Sequence, residues 1–229
     1  MNEIVHSKSK PVLAKPKAKR QRMTTRTNDP ARTMAGIMAV ATQEFAAKGL
    51  AGARIDAIAD ATHTSKRMIY YYFGSKEGLY LAVLEESYRR IRQTESDLQL
   101  ADLPPAEALA KLVGFTFDHH YGNQDFVRLV MSENIQRGEY LAQSQLIQEL
   151  NVSVIESIKE LYERGVKKGV FRKGLDPIDI HASISALTFF NVSNRYTFDL
   201  IFKRNGYTAK ALAQRRQRVI EMVQRFCVI

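Results

Sequence analysis

At 229 residues, with 45% hydrophobic and 25% charged side chains, the chain is long enough for one or two domains around a substantial core. No apolar run approaches the roughly 20 residues of a membrane span, and the basic start lacks the apolar segment of a signal peptide, so no membrane partner is expected. The single cysteine, Cys227, excludes an internal disulfide and fits a reducing cytoplasm; its plainest role is that of a small apolar residue in the last helix. The net charge of +10 is unevenly spread: residues 1–29 carry eight Lys or Arg against two acids, residues 30–97 nine against eight, and residues 98–229 seventeen against fourteen. The excess stands ahead of residue 30, where a polyanion would be met.

Residues 1–28 lack apolar periodicity and are rich in Lys, Pro, Ser and Thr, the composition of a disordered segment. One reading is an electrostatic arm along phosphates, with Arg26 nearest the folded region; the other is a solvated tail, and Met23 offers an alternative translation start. Asp29-Pro30 is a helix start, a capping carboxylate before a proline at the first helical position. Ile37, Val40, Ala41 and Phe45 line one face, Lys48-Gly49 ends the helix, and Thr33 near its start offers a hydroxyl to phosphate.

Ile55, Ile58 and Ala59 mark a second, short helix, and Thr62-His63-Thr64 is a polar break. Ser65 then caps a third helix whose anchors, Ile69 and Phe73, are four apart. That spacing turns Lys66, Arg67, Met68, Tyr70 and Tyr71 outward and leaves Tyr72 half-buried. A two-turn helix presenting cations, a hydroxyl and phenols suits a DNA major groove, so this is a helix-turn-helix. Lys66 and Arg67 can reach guanine O6 and N7, and Met68 can pack on a thymine methyl. The plainer alternative for the aromatic run is core, which is adopted for Phe73.

Ser75 opens a long helix to about residue 97, Leu103-Pro104-Pro105 breaks it, and further helices are predicted over 105–121, 124–138, 144–168, 177–204 and 208–226. Asp176-Pro177 repeats the cap-plus-proline start. No strand alternation or internal repeat occurs; the fold is all-α.

Arg54-Ile55-Asp56-Ala57-Ile58-Ala59, Ser65-Lys66 and Ile69-Tyr70-Tyr71-Tyr72-Phe73-Gly74-Ser75-Lys76-Glu77-Gly78-Leu79 together resemble the DNA-binding domain of TetR-family repressors, over about Asp29 to Leu84. The resemblance implies a phosphate contact for Tyr70, a further one for Lys76, and a fourth helix joining the reading head to a regulatory domain. Two positions depart from the family pattern. His63 stands where the turn usually has Gly, requiring a positive φ of a histidine, and Ala53-Arg54 replace the usual capping Thr or Ser. Arg54 can supply charge to a phosphate but cannot cap. The expected DNA-contacting set is Arg26, Thr33, Arg54, Thr64, Ser65, Lys66, Arg67, Met68, Tyr70, Tyr71 and Lys76. The expected division is a basic arm (1–28), a helix-turn-helix domain (29–75) and a helical regulatory and dimerisation domain (76–229).

In the second half, aromatic residues recur on several helices beside polar groups that cores seldom keep without partners. Phe115, His119, Phe126, Arg128, Met131, Asn134, Phe189, Asn191, Asn194 and Arg195 form the candidate ligand set. An arginine against aromatic walls suits a planar carboxylate. Ser132-Glu133-Asn134, Phe171-Arg172 and the run from Phe189 to Arg195 are similar to a regulatory subtype of aromatic catabolism, repressors of nicotinate degradation among them. That similarity is the basis for expecting an aromatic or heteroaromatic acid as effector.

Asp118-His119-His120 does not make a metal site, because adjacent histidines on a helix point about 100° apart and no third ligand follows at helical spacing. No phosphate-cradling glycine loop, nucleophile elbow or metalloprotease motif occurs, so neither catalysis nor a cofactor is expected. Ile184 and Leu187, with Leu212, Val219, Met222, Val223 and Phe226, form apolar stripes assigned to a homodimer interface; the alternative is packing within one protomer. One short reading helix makes few contacts, so a dimer on a palindromic duplex operator is expected, released by a small-molecule effector. The contrasting reading is a helical ligand-binding protein or enzyme with only non-specific nucleic-acid affinity.

Overall fold

The computed structural model describes residues 29–203 and 208–229; the basic arm, with Arg26, lies outside the described residues. Among the described residues ten α-helices follow one another: α1 (Pro30–Gly52), α2 (Ile55–Thr62), α3 (Lys66–Phe73), α4 (Lys76–Ser96), α5 (Pro105–Gly122), α6 (Gln124–Ile135), α7 (Gln145–Lys167), α8 (Pro177–Ser193), α9 (Arg195–Ile201) and α10 (Ala209–Cys227). The fold is all-α; among the described residues β pairing is limited to one bridge, Phe171 to Val228.

The helix starts are chemical. Asp29 accepts from the N–H groups of Ala31 and Arg32, Ser65 from Met68, Ser75 from Gly78, and Asp176 from Ile178, each satisfying a donor that has no partner within its helix. Gly49 takes φ 67, breaking α1 where expected, but a further turn follows to Gly52. Two expected helices are shorter. α6 stops at Ile135 rather than residue 138, because Arg137 (φ 59) and Gly138 (φ 73) turn left-handed and the Gly138 N–H returns to the Glu133 carbonyl. The helix expected over 177–204 divides at Asn194, whose side-chain amide donates to Ser193 Oγ at 2.8 Å. Short polar side chains compete there with the helical ladder.

Two apolar cores result. The first joins Ile37, Ala41 and Phe45 of α1, Ile55 and Ile58 of α2, Ile69 of α3 and Leu79, Tyr80, Val83 and Leu84 of α4, and it extends to Leu129 of α6 and Ile147 of α7. Tyr80 sits edge-on between Phe45 and Tyr140, at 5.1 and 5.3 Å. The second packs α5, α7, α8 and α10 through residues such as Leu112, Phe117, Ile158, Ile184, Val219 and Val223. The start of α4 is therefore built into the reading head, and its end reaches the second core.

Candidate DNA-reading face and effector cavity

The reading face depends on Ile69, which is fully buried and fixes the rotation of α3. Ser65, Lys66, Arg67, Tyr70 and Tyr71 are then exposed, Thr64 and Met68 half-buried, and Tyr72 and Phe73 packed against the first core. His63 takes φ 51, the left-handed conformation expected of it. At the corner between α3 and α4, Gly78 is required for space: a Cβ there would lie 2.1 Å from the Phe73 carbonyl oxygen.

Four of the expected contact residues have partners within the chain. Lys66 pairs with Asp56 on α2, and this pairing raises the lysine's pKa and lowers the aspartate's. Its ammonium must leave that carboxylate before it can reach a base edge. Lys76 donates to the Ala51 carbonyl at 3.3 Å, closing α4 onto the end of α1. Arg54 flanks α2 without capping it; its own backbone N–H goes to Glu44 Oε1 at 3.1 Å, which ties the start of α2 to α1 but leaves the first turn of α2 without a side-chain cap. The Arg54 side chain is exposed, with its guanidinium 3.7 Å from Asp56. Thr33 donates to the Asp29 carbonyl in the first turn of α1.

The cavity lies between α4, α5, α7 and α8, with α6 on one wall. An inner chamber of about 180 Å³ is lined by Tyr88, Arg92, His120, Phe126, Val130, His181, Ile184 and Phe189 among others. An outer one of about 430 Å³ runs between α4, α7 and the short turn at Leu100–Asp102, and both share Arg92, Glu95, Leu112 and Ile158. Arg164 straps that turn down through the carbonyls of Leu100 and Ala101. His120 stacks on Phe126 (6.2 Å, 13°) and meets Phe189 edge-on at 5.5 Å. Its Nδ1 lies 3.0 Å from Thr188 Oγ1, whose hydroxyl already donates to the Ile184 carbonyl. We assign the imidazole proton to Nδ1, donating to that oxygen. Burial lowers the pKa values of His119 and His120 to about 4, so both rings are neutral at pH 7.

Arg92 is the permanent cation of the inner chamber, and it is not among the ligand candidates read from the sequence. The signal was present: Tyr88, Arg92 and Glu95 stand at i, i+4 and i+7, on one face with the half-buried residues before them. Among the expected ligand residues, Phe126 and Phe189 line the inner chamber, and His119 and Phe115 stack behind it, His119 at 5.7 Å from Phe126. Met131 is half-buried on α6 and lines neither chamber. Arg128, Asn134 and Asn194 are corrected: all three are exposed, and the Asn134 amide donates to the Val130 carbonyl of its own helix. Asn191 and Arg195 face a different cavity, of about 190 Å³ between α8, α9 and α10, where Arg215 donates to Asn191 Oδ1 at 2.9 Å.

Three of the seven residues assigned to the interface need correction. Ile184, Val219 and Val223 are buried by their own protomer, since α10 lays its stripe on α5 and Ile184 faces the cavity. Leu187 and Phe226 pack against the same core, Phe226 under the Arg172 guanidinium, and Leu212 lines the α8–α10 cavity. Met222 alone of the seven is exposed, at 39%. Large apolar side chains do remain in solvent nearby, including Phe190, Tyr196, Leu200 and Ile201 of α8 and α9.

A helix-turn-helix head continuous through one helix with an aromatic-walled cavity defines a helical DNA-binding regulator with a separate small-molecule chamber. Comparison with known proteins agrees. The family model described as "Bacterial regulatory proteins, tetR family" matches residues 37–83, and "Tetracyclin repressor-like, C-terminal domain" matches residues 105–223. The chain belongs to the TetR family. It is 35% identical over 166 residues to the HTH-type transcriptional repressor NicS of Pseudomonas putida, covering 72% of this chain and 78% of that one. It is 31% identical to the HTH-type transcriptional repressor SCO4008 of Streptomyces coelicolor, over 60% of this chain and 69% of that one. Among solved structures, SCO4942 of Streptomyces coelicolor superposes with a TM-score of 0.66 at 26% identity, covering 85% of this chain and 98% of that chain. Among the described residues no helix is long and apolar enough to cross a membrane.

Proposed function

We propose that the chain is a ligand-responsive repressor that binds a palindromic operator as a homodimer through α3 and lets go when an aromatic or heteroaromatic acid fills the cavity. The observation that carries this is the double allegiance of α6. Phe126 and Val130 line the inner chamber, whereas Leu129 and Glu133 are buried toward the reading head. A ligand that displaces Phe126 therefore acts on a helix that also supports α1 and α4. Ligand and operator each weaken the other by a common factor. The acid is favoured by flat aromatic walls with an arginine at their edge, and by the kinship to repressors such as NicS.

In this reading residues 29–75 form the head and 76–229 the regulatory part, with 1–28 an arm along the phosphates. The two reading helices stand about 34–36 Å apart, one turn of duplex. The partner protomer is taken by the outer faces of α8, α9 and α10, where Met222 and the exposed aromatics lie. The test is a gel shift of the full chain on the DNA beside its own gene, against scrambled competitor at stated salt, with and without candidate acids. Retention that is blind to sequence would defeat the proposal in favour of a non-specific binder.

A further inference from the structure

Arg92 is only 12% exposed, yet its hydrogen bonding is incomplete. One terminal nitrogen donates to Glu95, which is 14% exposed, and the other to Asn151 Oδ1 at 3.0 Å. Its Nε is buried without an acceptor. A buried guanidinium N–H left unpaired is costly in a finished core and is what an anion site looks like before its anion arrives. The residue also stands where the two chambers meet, beside the Tyr88, Phe126 and Phe189 walls. His120 and His181, the other basic groups of the inner chamber, are held toward the neutral form by burial, and Arg164, on the outer chamber, is engaged by the carbonyls of Leu100 and Ala101.

We infer that Arg92 is the carboxylate anchor of the chamber and that Glu95 is a built-in counter-charge that sets the affinity threshold for the effector. This rests on the regulator reading above, and it adds the group recognised and the residue that tunes it. A ligand carboxylate accepts from Nε–H and the adjacent terminal N–H as a two-pronged pair, with the ring between Phe126 and Phe189. Glu95, already on the guanidinium, offsets that attraction. The site is thus near neutral when empty and discriminates against weak or dilute anions.

The sign of the Glu95→Gln effect separates this from a merely structural ion pair. Removing one member of a buried pair leaves the other uncompensated, so the ligand-free chain should melt earlier. The same change should tighten carboxylate binding, by about tenfold or more. Calorimetric titration of the full chain with benzoate and with benzamide, its uncharged isostere, reads this directly. Benzoate should bind Glu95→Gln more tightly than the natural chain, and benzamide should not distinguish them. The double variant Arg92→Met with Glu95→Gln, which leaves no orphaned carboxylate, should lose the preference for the acid. Glu95→Gln binding benzoate no better than the natural chain, or gaining equally for benzamide, overturns the inference. Operator retention without ligand is measured on the same samples. A chain that holds its operator but shows no gain for benzoate sinks the Arg92 assignment alone, whereas a chain blind to its operator sinks the regulator reading.

Discussion

Ile69 and Gly78 show how little freedom the reading head has. The first must be buried for α3 to present its polar face, and the second must lack a side chain for α4 to start against the Phe73 carbonyl. Gly78→Ala would place a methyl 2.1 Å from that oxygen. Backbone cannot yield as a flexible side chain does, so α3 should shift and operator binding should collapse even in chains that keep their helicity; circular dichroism beside a gel shift separates the two. Arg67→Ala makes a milder change. Discrimination at one base step should fall by about 1–3 kcal/mol, with little change in affinity for unrelated duplex. Equal losses across all operator variants would reassign Arg67 to the phosphates. Lys66 is a subtler case because Asp56 holds it in the unbound chain. Asp56→Asn should release the lysine, raise affinity for duplex DNA and steepen its salt dependence, as a log–log plot against salt concentration would show.

Among the elements, α6 is the one on which the proposed coupling turns. Glu133 is 1% exposed, and its Oε2 accepts the backbone N–H groups of Tyr140 and Leu141 at 3.2 and 3.0 Å, holding the chain beyond α6 against the head. Glu133→Ala orphans both donors, at about 1–3 kcal/mol for each that stays dry. The variant should unfold at lower urea and, where folded, release its operator less completely when effector is added. Stability and ligand response would then fall together; loss of stability with full response would confine Glu133 to a structural role. Glu133 and Arg92 also mark the limit of what the sequence discloses. Caps are local chemistry, so Asp29-Pro30, Ser65 and Asp176-Pro177 could be read directly, and the left-handed His63 followed from a family pattern. The end of α6 could not, because Arg137 takes a positive φ without any residue type to announce it. Periodicity says which face of a helix is covered but not what covers it. Val219 and Val223 of the α10 stripe were therefore assigned to a second protomer although they are buried in the core shared with α5, and the arginine of the inner chamber was sought on α6 and α9 when α4 supplies it.

For the whole molecule, the neutral histidines of the second core make stability depend on pH in a definable window. Burial is the main reason that His120 has a pKa of about 4; repulsion from His119 and His181 as they take up protons themselves, and from the standing charge of Arg92, adds to it. An unfolded histidine titrates near 6.5. Above that value both states are neutral and the native advantage is complete. As pH falls from about 6.5 to 4 the unfolded chain takes up a proton that the folded chain declines, so stability decreases across the interval and levels once the folded ring is also charged. For His120, at 5% exposure, the loss is on the order of 2–4 kcal/mol. His119 adds a loss of the same sign. The carboxylates with lowered pKa values, Glu44, Asp56, Glu77 and Glu86, add a loss of the same sign from the lower part of that interval downward, because they are charged in both states until the unfolded carboxyls begin to protonate. His120→Asn keeps a donor for Thr188 and removes the titrating ring. Urea unfolding of the two chains between pH 7 and pH 5 should give a shallower slope for the variant. Parallel slopes would mean that the ring titrates in the folded chain as it does in the unfolded one, and with it that the inner chamber admits a second cation beside Arg92 at mildly acid pH.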